Sequence, residues 1–108
     1  MPSDYHRETA LAALGDDESL LRELIEVFLA DVPERLAALQ AAASAGDLAT
    51  VTHQAHALKG ECGTLAATDT VAKFRALEMA ARAGDAVAVG ELLGVAVAAA
   101  VGLMAAIQ

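Results

Sequence analysis

Apolar residues recur at three- and four-residue spacing along most of this chain, and the runs are broken by short polar stops. Leu21, Leu24, Ile25, Phe28, Val32, Leu36 and Leu39 form one such stripe. They line one face of a helix turning 100° per residue, and they cannot line one face of a strand. The segment Ser44-Ala45-Gly46-Asp47 then stops and restarts the pattern. Gly46 suits the left-handed position after a helix, and Asp47 suits the cap of the next. Asp16 or Asp17 offers the N-cap of the first long helix, and Pro33 is a place where it could bend.

The same grammar continues downstream. Leu48, Val51, Ala55, Leu58, Cys62 and Leu65 keep a single register. The polar stretch Ala67-Thr68-Asp69-Thr70 offers a further cap, followed by a stripe of Val71, Phe74, Leu77 and Ala81 that should end at Gly84, with Asp85 capping the last helix. Four long helices joined by short loops are expected, with room for a short helix before Gly15. Short connections make successive helices antiparallel, so the expected class is all-α, an up-down-up-down four-helix bundle. At 108 residues the chain, 1–108, is one domain. Aromatics at 3% against 56% hydrophobic residues fit close-packed helices rich in Ala, Leu and Val.

Charge and cysteine usage exclude several functions. A net charge of -8 argues against nucleic acid, whose binding relies on Lys and Arg neutralising phosphates. A lone cysteine, Cys62, makes neither an internal disulfide nor a zinc site, and its place on the apolar stripe marks it as packing. The polar N-terminus lacks the pattern of a signal peptide, so a cytoplasmic address is expected. The segment Leu92–Ile107 carries no charge but is short for a membrane span and rich in Ala and Gly. A helix apolar all round is normally covered on most sides, so a buried or partner-covered helix is expected and not a membrane span.

The stretch His56-Ala57-Leu58-Lys59-Gly60-Glu61-Cys62-Gly63 breaks the helical grammar without ending it. Gly60 could be a simple C-cap, with Lys59 favouring the helix dipole. Against that, the apolar register passes both glycines unchanged. On the helical projection His56 lies away from the apolar stripe, among Ala49, Thr52, His53, Lys59, Gly60 and Gly63. That face is cleared of bulk although each interior glycine costs about 1 kcal/mol relative to alanine. An exposed imidazole can take a phosphoryl group on nitrogen and pass it on, and Lys59 could offset the added charge.

The segment Ala55–Ala67, "AHALKGECGTLAA", resembles the signature of histidine-containing phosphotransfer (HPt) domains. The similarity extends upstream to Asp16 and downstream through "FRALEMAARAGD" to Asp85, and it is weak at the ends. It implies a four-helix bundle in which His56 is the phospho-acceptor, Lys59 contacts the phosphoryl group and Gly60 leaves room for the partner's cleft. Gly63 and His53 share that face. The resemblance further implies a carrier that is no enzyme, exchanging phosphate with a response-regulator receiver domain or a hybrid histidine kinase. It would have no cofactor of its own, because the receiver supplies the aspartate and Mg²⁺. Glu78 falls where the family often places a polar residue near the histidine. It either accepts a hydrogen bond from Nδ1 or is a solvated helix carboxylate.

The sequence departs from the family pattern at Glu61, Cys62 and Ala66, the last a frequent glycine position. Glu61 points away from His56 on the projection, so its effect is expected on partner choice. Two other readings compete with phosphotransfer. One is a helical interaction module, in which the charge-poor last helix supports self-association. The other is a metal site on His53 and His56, which lacks the Glu-x-x-His motifs that bundles use.

Overall fold

The computed structural model describes residues 3–108, and among them there are five helices and no strand. These are α1 (Arg7–Ala13), α2 (Glu18–Ser44), α3 (Leu48–Thr64), α4 (Thr68–Arg82) and α5 (Ala86–Ile107). The caps of three helices are local, as their sequences dictate. Asp17 accepts from the Leu20 amide, Asp47 from the Thr50 amide and Asp85 from the Ala88 amide, at 3.0–3.1 Å. Each satisfies one of the amides that a helix N-terminus leaves without a partner. Asp16 is not the cap of α2; it sits in the left-handed region at φ 61°.

The turn between α3 and α4 departs from the sequence expectation. Nothing in the Ala67–Thr70 stretch caps α4 with its own side chain, because the N-cap position falls on Ala67. The cap comes instead from Asp4. Its Oδ2 accepts the amides of Asp69 and Thr70 at 2.9 and 3.2 Å, and its Oδ1 accepts the Thr70 hydroxyl at 2.7 Å. Burial works to raise this carboxyl, but the bonds from Thr70 and Asp69 outweigh it and hold Asp4 below its ordinary value. The same turn places Ala66 at φ 57°, where the two flanking turns use Gly46 and Gly84 at φ 72° and 73°. A left-handed alanine costs about 1–2 kcal/mol.

All four long helices feed one core. Phe28, Val32 and Leu39 of α2, Val51, Leu58 and Cys62 of α3, Phe74 and Leu77 of α4, and Ala100 and Leu103 of α5 are essentially inaccessible. Helix α2 continues through Pro33. Helix α3 is central, packing on α2 and, most extensively, on α4; α5 packs on α4 and reaches α2. Cys62 lies in this core, where burial pushes its thiol up to about 12. It is therefore inert packing at neutral pH.

Helix α5 is longer than its uncharged segment Leu92–Ile107, and the chain itself covers only part of it. It spans 22 residues, enough by length and composition to cross a membrane, because it starts at Ala86 and includes Glu91. Only 22% of its most apolar window is buried. Val89, Ala96, Ala100 and Leu103 face the core, whereas Val87, Val95 and Val101 are exposed. The apolar helix is thus covered on one side only. Its composition reflects small Ala and Gly side chains that permit close packing on that side, while the outer face has no charged residues after Glu91.

Candidate functional site

Helix α3 runs through Gly60 and Gly63 to Thr64, and neither glycine has positive φ. Gly60 is therefore no C-cap. A Cβ built at Gly60 would meet nothing within 4 Å, and one at Gly63 would meet only Val71 Cγ2 at 3.9 Å. Nothing inside the molecule requires glycine at either position, although each weakens the helix by about 1 kcal/mol. His56 is 62% exposed on this bare face. His53, one turn earlier, is also exposed and joins none of the hydrogen bonds described below.

Helix α4 supplies the partner of His56. Glu78 sits on the edge of α4 that packs on α3, so its carboxylate is 5% exposed and is not a solvated helix carboxylate. Its Oε2 lies 3.0 Å from His56 Nδ1. Its Oε1 accepts from Lys59 Nζ at 2.8 Å, and Oε2 also accepts from Arg82 Nη2 and Nε at 2.8 and 3.1 Å. The Lys59 ammonium beside it, joined by Arg82 and His56, outweighs the desolvation and pulls Glu78 down to about 2. An ionised carboxylate can only accept, so the hydrogen of this contact is on Nδ1. In the neutral ring Nε2 then carries the free lone pair, on a side chain that is largely exposed.

Lys59 is held in place by the same carboxylate. Its side chain is 24% exposed and tied to Glu78. Arg82 lies in the downstream segment that carries the family resemblance, and its i,i+4 spacing from Glu78 is the signal of a helix ion pair, a role the resemblance does not assign. Lys59 and Arg82 against Glu78 leave this cluster with one positive charge to spare, in a chain whose net charge is -8.

A second cluster lies on the α2 side of α3. Arg35 Nε is 2.7 Å from both Asp31 Oδ2 and Glu61 Oε1, and Nη1 donates to Gln54 Oε1 at 3.1 Å. Glu61 Oε2 is buried with no hydrogen-bond partner in the protein. Burial first, then the Asp31 carboxylate, pushes Glu61 up to about 7, while Asp31 is held low. Glu61 is therefore partly buried between two helices, on the side of α3 away from His56, and is engaged by Arg35. Among the described residues no group of three or more His, Cys, Asp and Glu side chains is arranged to hold a metal ion.

Comparison with known families places this geometry. No curated protein and no solved structure gives a significant match. The model of the Hpt domain family matches residues 23–107, from within α2 to the last residue of α5. The match includes the last helix, where the resemblance of the bare sequence is weak. With His56, the glycine-cleared face and the α4 carboxylate inside the matched region, the chain belongs to the Hpt domain family, whose members carry phosphoryl groups in two-component signalling.

Proposed function

We propose that this protein is a phosphocarrier in which His56 Nε2 accepts a phosphoryl group and passes it to or from the aspartate of a receiver domain. The observation that carries this reading is the pairing of His56 Nδ1 with the buried Glu78 carboxylate. It orients the ring and leaves Nε2 outward as the nucleophile. In the forward step the Nε2 lone pair forms the N–P bond as the P–O bond of the receiver's aspartyl phosphate breaks. The electron pair of that bond leaves with the aspartate carboxylate, and Nδ1 keeps its hydrogen throughout.

The remaining residues serve approach and charge. Gly60 and Gly63 give clearance for the receiver's cleft, His53 lies on the docking face, and Lys59 lends positive charge to the transferred group. Phosphoryl transfer is mainly positioning and charge neutralisation, so a rigid histidine suffices on this side. The receiver brings the aspartate and Mg²⁺; this chain is no enzyme in itself and needs no cofactor. Its partners are a response-regulator receiver domain or a hybrid histidine kinase, met in the cytoplasm, and neither nucleic acid nor membrane.

The four long helices make the up-down-up-down antiparallel bundle that presents α3. In support, Arg35 on α2 meets both Gln54 and Glu61 on α3, and its distance along the chain from Gly46 falls between theirs, as in an antiparallel pair. The whole of 1–108 acts as one domain. The exposed Val87, Val95 and Val101 of α5 favour a second role beside transfer, self-association through that helix, which sedimentation at increasing concentration would read.

Incubation with a phosphorylated receiver tests the main reading. Wild type and His53→Gln should take an acid-labile label, and His56→Gln should take none while keeping its helical circular dichroism. Label retained by His56→Gln and lost from His53→Gln would overturn the assignment.

A further inference from the structure

We propose that Arg82 is a positioning residue that acts through Glu78 to keep the His56 ring oriented yet neutral; this rests on the reading of His56 as the acceptor. The two tasks conflict. A carboxylate beside Nδ1 orients the ring, but by itself it favours the imidazolium, which is protonated on both nitrogens and has no lone pair to attack phosphorus. The cluster around Glu78 resolves the conflict through its stoichiometry.

Three N–H groups converge on the single oxygen Oε2, from His56 Nδ1 at 3.0 Å, Arg82 Nη2 at 2.8 Å and Arg82 Nε at 3.1 Å. A carboxylate oxygen has about two good acceptor directions, so His56 shares this oxygen with a permanent cation. Arg82 thus withdraws part of the negative charge that would stabilise an imidazolium, and places a like charge next to it. Nδ1 still has an acceptor, so orientation survives. Lys59 occupies the other oxygen at 2.8 Å and does not compete for Oε2.

Lys59 and the exposed His53 stand beside His56 on α3, Glu78 and Arg82 face it from α4, and the exposed Arg75 lies one turn before Glu78 on that helix without joining the hydrogen bonds to its carboxylate. On the α2 side, Asp31, Arg35 and Glu61 are engaged with one another. Arg82 is the separable member of the set. Its side chain is 60% exposed and touches no core residue through its hydrogen bonds, so replacing it alters charge without opening the core.

Arg82→Gln and Arg82→Lys, with nitrogen-15-labelled imidazole followed by NMR across pH in the unphosphorylated protein, test the inference. Arg82→Gln should move the His56 ring titration to higher pH by about half a unit, the size expected of one exposed charge at this range. The acid limb of its pH–labelling profile should move with it. Arg82→Lys should restore the wild-type titration, and added salt should shrink the difference. A ring titration in Arg82→Gln that superimposes on wild type, or moves to lower pH, overturns the inference. A shifted titration in a protein that takes no label even as wild type would support the role of Arg82 and count against the phosphocarrier reading.

Discussion

The two sides of α3 carry ion clusters of opposite composition. Toward α4, one buried carboxylate, Glu78, is surrounded by Lys59, Arg82 and the His56 ring. Toward α2, two carboxylates, Asp31 and Glu61, share the single guanidinium of Arg35. The first has cation to spare and holds its carboxylate ionised; the second has carboxylate to spare and holds a proton on Glu61 up to about pH 7. One helix therefore presents a positive margin on the side of the exposed histidine and, on the other, a cluster that is neutral while Glu61 holds its proton and negative once it is lost. In a chain with 7 basic and 15 acidic residues, placement decides where a local positive margin appears.

Glu78→Ala should break the comparison with the largest effect. It leaves Lys59 and Arg82 without an acceptor and the ring without its orienting bond. A loss of about 2 kcal/mol in denaturant unfolding is expected, together with at least about tenfold slower labelling. Unchanged labelling would show that the ring needs no orienting acceptor.

Arg35→Ala should cost less, about 1 kcal/mol, because Arg35 is partly exposed. It should leave labelling rates near wild type, since this cluster lies on the far side of α3. Its signature is a steeper fall in stability as pH rises, two carboxylates then facing each other unshielded. Labelling that falls as far as in Glu78→Ala would show that the two sides are coupled.

The smallest effect sharpens the contrast through pH. Glu61 binds its proton more tightly when folded, with its carboxyl raised from 4.5 to about 7. Its contribution is thus fully present below pH 4.5 and is lost as pH rises through about 7. Glu78 has the opposite sign: lowered to about 2, its contribution is present above 4.5 and is lost only as pH falls through about 2. Melting temperatures of wild type should drift down between pH 5 and 8, and Glu61→Gln should flatten the drift. A slope unchanged in Glu61→Gln would mean that the carboxyl carrying the proton is another one.

Much of the fold was legible because its instructions are local. The stripes of α2 to α4, the stops at Gly46 and Gly84 and the caps at Asp47 and Asp85 act across one turn of helix, and a sequence displays that range directly. The bare face around His56 was legible for the same reason, since helical projection places Gly60 and Gly63 beside it. Glu78 as a partner of His56 was visible only as one of two readings, because a helix face is known from spacing while its neighbour is not.

The chain by itself determined which residues share a helix, where those helices stop, and which face of α3 is partly cleared of bulk by Gly60 and Gly63, since all of these follow from backbone periodicity and capping. Tertiary structure alone decided which polar groups meet. Asp4 caps α4 from 66 residues before Thr70, Glu78 reaches His56 across 22 residues, and Glu61 reaches Arg35 across 26. It also decided that Ala66 must take a left-handed conformation at the one turn without a glycine. Burial, shared donors and displaced protons depend on distances through space, and those exist only once the helices have packed.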